Sequence, residues 1–151
     1  MQMLNKVSNQ TVDQRNTWCL FLAWLIAVAA TFAALFIGEI LGQPPCNLCW
    51  FQRVFMFPLA IILGIAVFRL DPAIKLYALP LAGFGMAVAG FHTLLYFGLI
   101  EEAIVPCARN GPSCSGDAMT IMGGMPLPLI SLLCFTAIAG LLTLCRPGVF
   151  R

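Results

Sequence analysis

Two cysteines and one arginine have the types and spacing of a redox site. Cys46 and Cys49 are separated by two residues, and Arg53 follows four positions later. If the chain is helical from this motif onward, residues three and four apart lie on one face, so the two thiols and the cation could meet at one spot. A C-x-x-C pair of this kind exchanges disulfides through its thiolate form.

The residues just before the motif predict that it stands at the start of a helix. Pro44 and Pro45 cannot continue a helix from upstream, but proline suits a first helical turn. Cys46 should therefore lie where unpaired backbone N–H groups and the positive helix end favour a thiolate. The pattern favours Cys46 as a reactive sulfur.

The elements around the motif have the composition of a membrane protein. Of 151 residues, 61% are hydrophobic and 9% are charged, and the mean hydropathy is +0.95. A soluble domain of this length would not have so few charges. Apolar stretches are long enough to cross a hydrocarbon core of roughly 30 Å at about 1.5 Å per helical residue. We predict one all-α membrane domain, a four-transmembrane-helix bundle with spans at about 18–38, 50–68, 76–99 and 127–144.

The sequence argues against a nucleic-acid-binding protein and against a cleaved signal peptide at the N-terminus. No basic run exists to track phosphates, and a net charge of +2 does not indicate nucleic acid, so we expect no nucleic-acid partner. The first apolar stretch is longer than the roughly 7 to 15 residues of a signal-peptide core, and it stays apolar through Ala29 and Ala30. We therefore expect an uncleaved span.

The distribution of charge predicts which loops face outward. With four spans, both termini and the turn between the second and third spans share one side of the membrane. That side carries Lys6, Arg15, Arg69, Lys75, Arg146 and Arg151, whereas the other side has only Arg53 and Arg109. Positive residues favour the cytoplasm, so both termini should be cytoplasmic. Two outward-facing, cysteine-bearing loops should then face the periplasm or the cell exterior.

The seven cysteines divide into two groups under this topology. Three of them fall within or at the ends of the spans, where a thiol usually serves as a small apolar side chain: Cys19, Cys134 and Cys145. The other four form two pairs on the outward side, Cys46 with Cys49 and Cys107 with Cys114. Two pairs in an oxidising compartment favour disulfides over free thiols.

Two structural roles for the outward cysteines remain open. Disulfide staples could brace the loops, but closing a two-residue gap removes little unfolded-state entropy, so a C-x-x-C bridge is a poor staple. A zinc site of four thiolates is the other alternative, although Cys107 and Cys114 are separated by six residues and not by about two to four. Bound metal, or cysteines inert to reductant, would favour these roles. Covalent haem is excluded because Trp50, not His, follows Cys49.

The sequence resembles the membrane disulfide-bond-formation protein B (DsbB) family, and especially its short branch. The resemblance lies in residues 45–53, Pro-Cys-Asn-Leu-Cys-Trp-Phe-Gln-Arg, in Glu39 ahead of them, and in His92-Thr93 of the third span. A second cysteine pair before the fourth span completes it. A bare C-x-x-C would be a weak signal, but this motif with the downstream Gln-Arg, the second pair and the span count is specific.

The resemblance implies a quinone-dependent protein-disulfide oxidoreductase of the bacterial inner membrane. Its partners would be a soluble thioredoxin-fold thiol oxidase of the DsbA type and ubiquinone or menaquinone within the lipid bilayer. Matched by position, Cys107 would be attacked by the partner's thiolate, and Cys114 would then exchange with Cys46. Cys49 would reduce the quinone with Arg53 beside the ring. A reductase that runs electrons the opposite way, as in the related vitamin K epoxide reductase architecture, is the nearest rival enzyme.

Arg53 and His92 are the predicted quinone contacts besides Cys49. A cation one turn inside a span commonly just extends to the headgroups, but its charge can also stabilise a thiolate and a quinone carbonyl. His92 is the only histidine, and its predicted depth is not far from that of Arg53. It is expected to donate to a quinone carbonyl or to supply a proton to the quinol, with an interhelical hydrogen bond as the alternative. We assign no metal ligands.

Overall fold

A computed structural model describes residues 2–100, 120–121 and 124–145. Its elements, in chain order, are α1 (Gln2–Leu35), a π-helical turn (Phe36–Ile40), α2 (Asn47–Arg69), a 3₁₀ turn (Pro72–Ile74), α3 (Lys75–Tyr96), β1 (Thr120–Ile121), β2 (Met125–Pro126) and α4 (Leu127–Leu144). Cys107 and Cys114 lie outside the described residues, so their predicted roles stay predictions.

Four helices in the described part of the chain are long and apolar enough to cross a membrane. They are Gln14–Ile40, Asn47–Arg69, Lys75–Tyr96 and Leu127–Leu144. The predicted all-α membrane bundle is therefore confirmed. The first helix continues back through the polar N-terminal segment to Gln2, beyond the predicted span of about 18–38.

The helices form a closed ring around one core. α1 packs against α2 and α4, and α3 packs against the same two helices. The centre of the ring is filled by apolar side chains that are almost fully buried: Leu20, Leu59, Leu63, Phe135, Ile138 and Leu142. Large apolar side chains also cover the outside, including Phe32, Ile61 and Phe68. This distribution suits a bundle surrounded by lipid, because lipid tails impose no penalty on exposed apolar groups.

Small residues set how closely the helices approach. Gly85 of α3 lies directly against the ring of Phe135 on α4, where a methyl group would overlap the aromatic carbons. Gly64 of α2 similarly accommodates the indole of Trp24 on α1. Close approach at small residues is a usual feature of membrane helix packing, and here it fixes which faces of the four helices meet.

The third helix ends three residues earlier than predicted. It stops at Tyr96, and Gly98 adopts a left-handed backbone with φ of 71°. The Leu99 N–H then bonds to the Leu94 carbonyl at 3.0 Å, and the Gly98 N–H bonds to the Leu95 carbonyl at 3.0 Å. This is a Schellman termination, which glycine allows without a Cβ clash. It brings His92 within about one turn of the helix end.

A short β ladder precedes the fourth helix. β1 and β2 are antiparallel, with Thr120 opposite Pro126 and Ile121 opposite Met125. Pro128 lies in the first turn of α4, where its missing N–H costs no helical hydrogen bond.

Candidate redox site

Cys46 caps the N-terminus of α2. The helix begins at Asn47, and Cys46 itself has an extended backbone with φ of −68° and ψ of 169°. Its Sγ accepts a hydrogen bond from the backbone N–H of Cys49 at 3.3 Å. The sulfur thus takes the position usually filled by a capping oxygen, next to the positive end of the helix.

The two cysteines of the motif are in direct contact. Their Sγ atoms lie 2.9 Å apart, and the pair is in the dithiol form. Cys46 is 1% exposed, whereas Cys49 is only partly buried. One thiol proton lies in the hydrogen bond between the two sulfurs. This hydrogen bond holds the pKa of Cys46 well below its ordinary value, against the opposing effect of burial, and the nearby His92 acts in the same direction.

A buried histidine on α3 completes a chain of polar contacts. His92 is 0% exposed, and its Nε2 lies 3.9 Å from the Sγ of Cys46. Its Nδ1 lies 2.9 Å from Nε2 of Gln52, which is also buried. When the Gln52 amide donates to Nδ1, the ring proton is on Nε2 and points toward the Cys46 sulfur. Cys49 and His92 therefore contact the Cys46 sulfur directly, and Gln52 acts on it through His92.

These contacts match the interhelical hydrogen bond that the sequence analysis left open for His92. Its side chain joins α3 to α2 through Gln52 and Cys46. The predicted contact with a quinone carbonyl stays a prediction. Gln52 belongs to the motif at residues 45–53 but had no predicted role. Its contact with His92, which lies 40 positions away in the chain, is not evident from the sequence.

Arg53 extends from α2 to the end of α1. Its Nη2 donates to the carbonyl of Ala34 at 2.7 Å, and its guanidinium carbon lies 5.4 Å from the ring centroid of Trp50. A Cβ at Gly38 would come within 3.0 Å of the same Nη2, so glycine leaves the room that the guanidinium fills. The π-helical turn begins two residues after Ala34, and such turns are frequent at functional sites.

A cavity of 140 Å³ opens beside Cys49, between α1, α2 and α4. Its walls include Ala30, Ala33 and Ala34 of α1 and Leu127 and Ile130 of α4. The polar side chains that line it are Cys49, Gln52, Arg53, Ser131 and Cys134. The described residues thus bring Cys49 and Arg53 to one apolar cavity, with Cys46 and His92 adjoining them.

The contribution of the fourth helix was not predicted from the sequence. Cys134 was expected to be a small apolar side chain and Ser131 had no predicted role, yet both line the cavity opposite the motif. Their spacing of three residues places them on one face of α4. No signal in the sequence shows that this face turns toward α2, because every face of α4 is rich in apolar residues.

Comparison with known proteins decides the family. A sequence profile described as "Disulfide bond formation protein DsbB" matches residues 15–145. The chain belongs to the DsbB family. This membership implies thiol oxidation, the chemistry that forms disulfide bonds.

Relatives named for disulfide formation match most of the chain. A "Probable disulfide formation protein" of Metapseudomonas resinovorans is 56% identical over 131 residues, covering 86% of this chain and 91% of the relative. One of Deinococcus radiodurans is 39% identical over 137 residues, with coverages of 86% and 90%. The "Disulfide bond formation protein C" of Bacillus subtilis (strain 168) is 37% identical over 119 residues, with coverages of 79% and 86%. No solved structure matched this DsbB-family chain.

Proposed function

We propose that this DsbB-family protein oxidises a soluble dithiol protein and passes the electrons through two disulfides to a quinone in the bilayer. One observation carries the proposal. The Cys49 thiol lines an apolar cavity among the membrane helices, while its neighbour Cys46 is engaged by His92 on the other side of the motif. A thiol that reduces a lipid-soluble acceptor needs such a position.

The cavity has the size and chemistry for a quinone ring. Its volume of 140 Å³ is similar to the roughly 150 Å³ cavity that accommodates a benzene ring in another protein. Alanines on α1 leave a flat apolar wall, and Arg53 and Ser131 supply hydrogen-bond donors. A bound quinone, ubiquinone or menaquinone, supplies a two-electron and two-proton acceptor. Cys49, Arg53 and Ser131 would hold the ring.

Arg53 would stabilise negative charge in this cavity. Its guanidinium lies at the end of α1, bound to the Ala34 carbonyl, and lines the same wall region as Cys49. A fixed cation in a site of low polarity favours a thiolate and the developing charge on a carbonyl oxygen. Because the Ala34 carbonyl already orients the guanidinium, little rearrangement is needed when an acceptor arrives.

The proposed electron path consists of three balanced exchanges. The partner's dithiol reduces the Cys107–Cys114 disulfide and becomes a disulfide itself. That dithiol then reduces the Cys46–Cys49 disulfide, with Cys114 attacking Cys46. Finally the Cys46–Cys49 pair gives two electrons and two protons to the quinone and becomes a disulfide again. His92 would hold a proton at Nε2 beside Cys46 while this sulfur cycles between thiolate and disulfide.

The proposed location follows from the charges and the spans. Four membrane helices with positive residues at both termini and in the turn between α2 and α3 favour cytoplasmic termini. Cys46 and the loop with Cys107 would then face the periplasm, where a thioredoxin-fold oxidase of the DsbA type can reach them. The membrane would be the bacterial inner membrane.

The test is anaerobic quinone reduction by the purified protein in detergent. A reduced thioredoxin-fold oxidase serves as electron donor, and quinone loss is followed by absorbance. Cys49→Ser and Cys107→Ser should each lower turnover by at least ~10³-fold, because a hydroxyl cannot replace a sulfur in disulfide exchange. Cys145→Ser is the matched control and should stay within about twofold of the parent.

Two results would overturn the proposal. Quinone loss that persists in Cys49→Ser would show that this thiol is not the donor. Electron flow from quinol to a protein disulfide, with no flow in the other direction, would instead support a reductase of the vitamin K epoxide reductase type.

A further inference from the structure

We infer that the reduced form of the redox site is a zinc site whose ligands are Cys46, Cys49 and His92. This inference goes beyond the proposed electron transfer, since it concerns a metal that binds the dithiol and not the disulfide. From the sequence, the alternative zinc site consisted of four thiolates from both cysteine pairs. The fold instead brings a histidine of α3 to the first pair, so the second pair is not required.

The three ligand atoms are already gathered. The two Sγ atoms and the His92 nitrogen all lie within 4.8 Å of one another. The Sγ atoms are 2.9 Å apart, and the Cys46 Sγ is 3.9 Å from Nε2. A tetrahedral zinc ion with Zn–S near 2.3 Å and Zn–N near 2.0 Å sets these separations at about 3.8 and 3.5 Å. To reach that geometry the two Sγ atoms must separate by about 0.9 Å, and both must approach the His92 nitrogen to about 3.5 Å.

Gln52 provides the hydrogen bond to the second ring nitrogen that histidine ligands normally have. Its side-chain amide lies 2.9 Å from Nδ1, the ring nitrogen that faces away from the sulfurs. Turning the amide presents its oxygen to an Nδ1–H and makes Nε2 the unprotonated nitrogen, which is the form that binds a metal. A hydrogen bond of this kind fixes the tautomer and raises the basicity of the ligating nitrogen.

The cavity supplies a route and a fourth ligand position. Cys46 and His92 are almost fully buried, but Cys49 lines the cavity between α1, α2 and α4. Three protein ligands with one open position are the usual arrangement of an accessible zinc site. Water can therefore complete the coordination from the Cys49 side.

The redox state of the pair decides whether zinc binds. Zinc displaces the remaining thiol protons and forms two Zn–S bonds, and two thiolates neutralise its charge of 2+. Neutrality matters because an unbalanced charge in this buried position would be costly. In the disulfide, both sulfurs are bonded to each other and only His92 is left. Zinc therefore holds the pair in its reduced form.

The experiment measures zinc binding with no quinone and no partner protein present. The full chain carries Cys107→Ser and Cys114→Ser to remove the second pair, and it is prepared reduced or oxidised with diamide under anaerobic conditions. Zn²⁺ affinity is measured by competition with a chromophoric chelator, and Co²⁺ is added separately as a spectroscopic probe. Cys134→Ser, which removes the other thiol of the cavity, is the matched control.

The reduced protein should bind about one Zn²⁺ per chain and show thiolate-to-cobalt charge-transfer absorption. Oxidation or Cys49→Ser should weaken zinc binding by more than ~100-fold, and Gln52→Leu should weaken it by about 10-fold. His92→Gln should weaken it by about 10- to 100-fold and shift the cobalt spectrum, whereas Cys134→Ser should change neither.

Equal zinc affinity in the reduced and oxidised protein would overturn the inference, and this comparison needs no variant that might fail to fold. Parent-like affinity in His92→Gln, or loss of binding in Cys134→Ser, would also overturn it. The assay uses neither acceptor nor partner. It can therefore fail while quinone turnover is observed, and it can succeed while quinone turnover fails.

Discussion

The two ends of the bundle carry the same kinds of residues but differ in chemistry. One end has Cys46 and Cys49, and the other has Cys19 and Cys145, which are both buried. Each end also has a cation that donates to a backbone carbonyl. Arg53 does so at 2.7 Å from Ala34, and Lys75 at 2.8 Å from Cys145. Residue type alone therefore does not distinguish the two ends.

Burial does not distinguish them either. Cys46 and Cys145 are both 1% exposed. Cys145 directly follows the last residue of α4, and its Sγ lies 3.9 Å from the backbone carbonyl of Asn16. Burial raises the pKa of Cys145 to about 12, with Cys19 adding to the effect and Lys75 partly opposing it.

The difference lies in helix polarity and in the neighbours of each sulfur. Cys46 stands at a helix N-terminus and accepts from the backbone N–H of Cys49, with His92 beside it. Cys145 stands at a helix C-terminus, where unpaired carbonyls disfavour negative charge. Two features therefore distinguish the Cys46–Cys49 pair from the closely packed Cys19 and Cys145. Hydrogen-bond donors point at the Cys46 sulfur, and a cavity lies beside Cys49.

The largest expected contrast is in alkylation of the reduced protein. At neutral pH, Cys46 should react with a small haloacetamide at least ~10²-fold faster than Cys145, because only the thiolate is nucleophilic. Between about pH 7 and pH 9, the rate at Cys145 should rise about tenfold per unit, since its thiolate fraction does so below a pKa near 12. Peptide mass spectrometry measures both rates. Equal alkylation rates at Cys46 and Cys145 would contradict the proposed difference between the two ends of the bundle.

Arg53 should contribute to quinone reduction, whereas Lys75 should contribute only to stability. Arg53→Met should lower kcat/KM for quinone by about 10- to 100-fold, because the proposed cavity loses its charge. Lys75→Met should leave that value within about twofold and instead reduce the free energy of unfolding by about 1 kcal/mol, because α4 loses a hydrogen bond to its last carbonyls. Steady-state kinetics and denaturation of both variants measure this. A kinetic loss in Lys75→Met would contradict the assignment of function to one end.

The smallest expected effect concerns His92. His92→Gln should lower kcat by about tenfold, because Cys46 loses its imidazole neighbour. The KM for quinone should stay within about twofold, since His92 is not among the side chains that line the cavity. A raised KM with unchanged kcat would instead support the direct contact with quinone that the sequence suggested.

The spans and the start of α2 could be predicted from the sequence because they depend on properties of a single segment. Hydropathy and length predicted the four spans, and the prolines before Cys46 predicted the helix start that the structure has at Asn47. The i,i+4 spacing likewise predicted that Cys49 and Arg53 share one helical face, and both line the cavity. These features follow from the geometry of a single helix, so no neighbour is needed to predict them.

The remaining features were decided by how the helices pack. The contact between Cys46 and His92 joins residues 46 positions apart, and the cavity depends on the faces that α1 and α4 turn toward α2. Close contacts such as that of Gly85 with Phe135 fix those rotations. In helices that are apolar on every side, hydrophobicity does not select the inward face, so the shapes of the packed side chains select it.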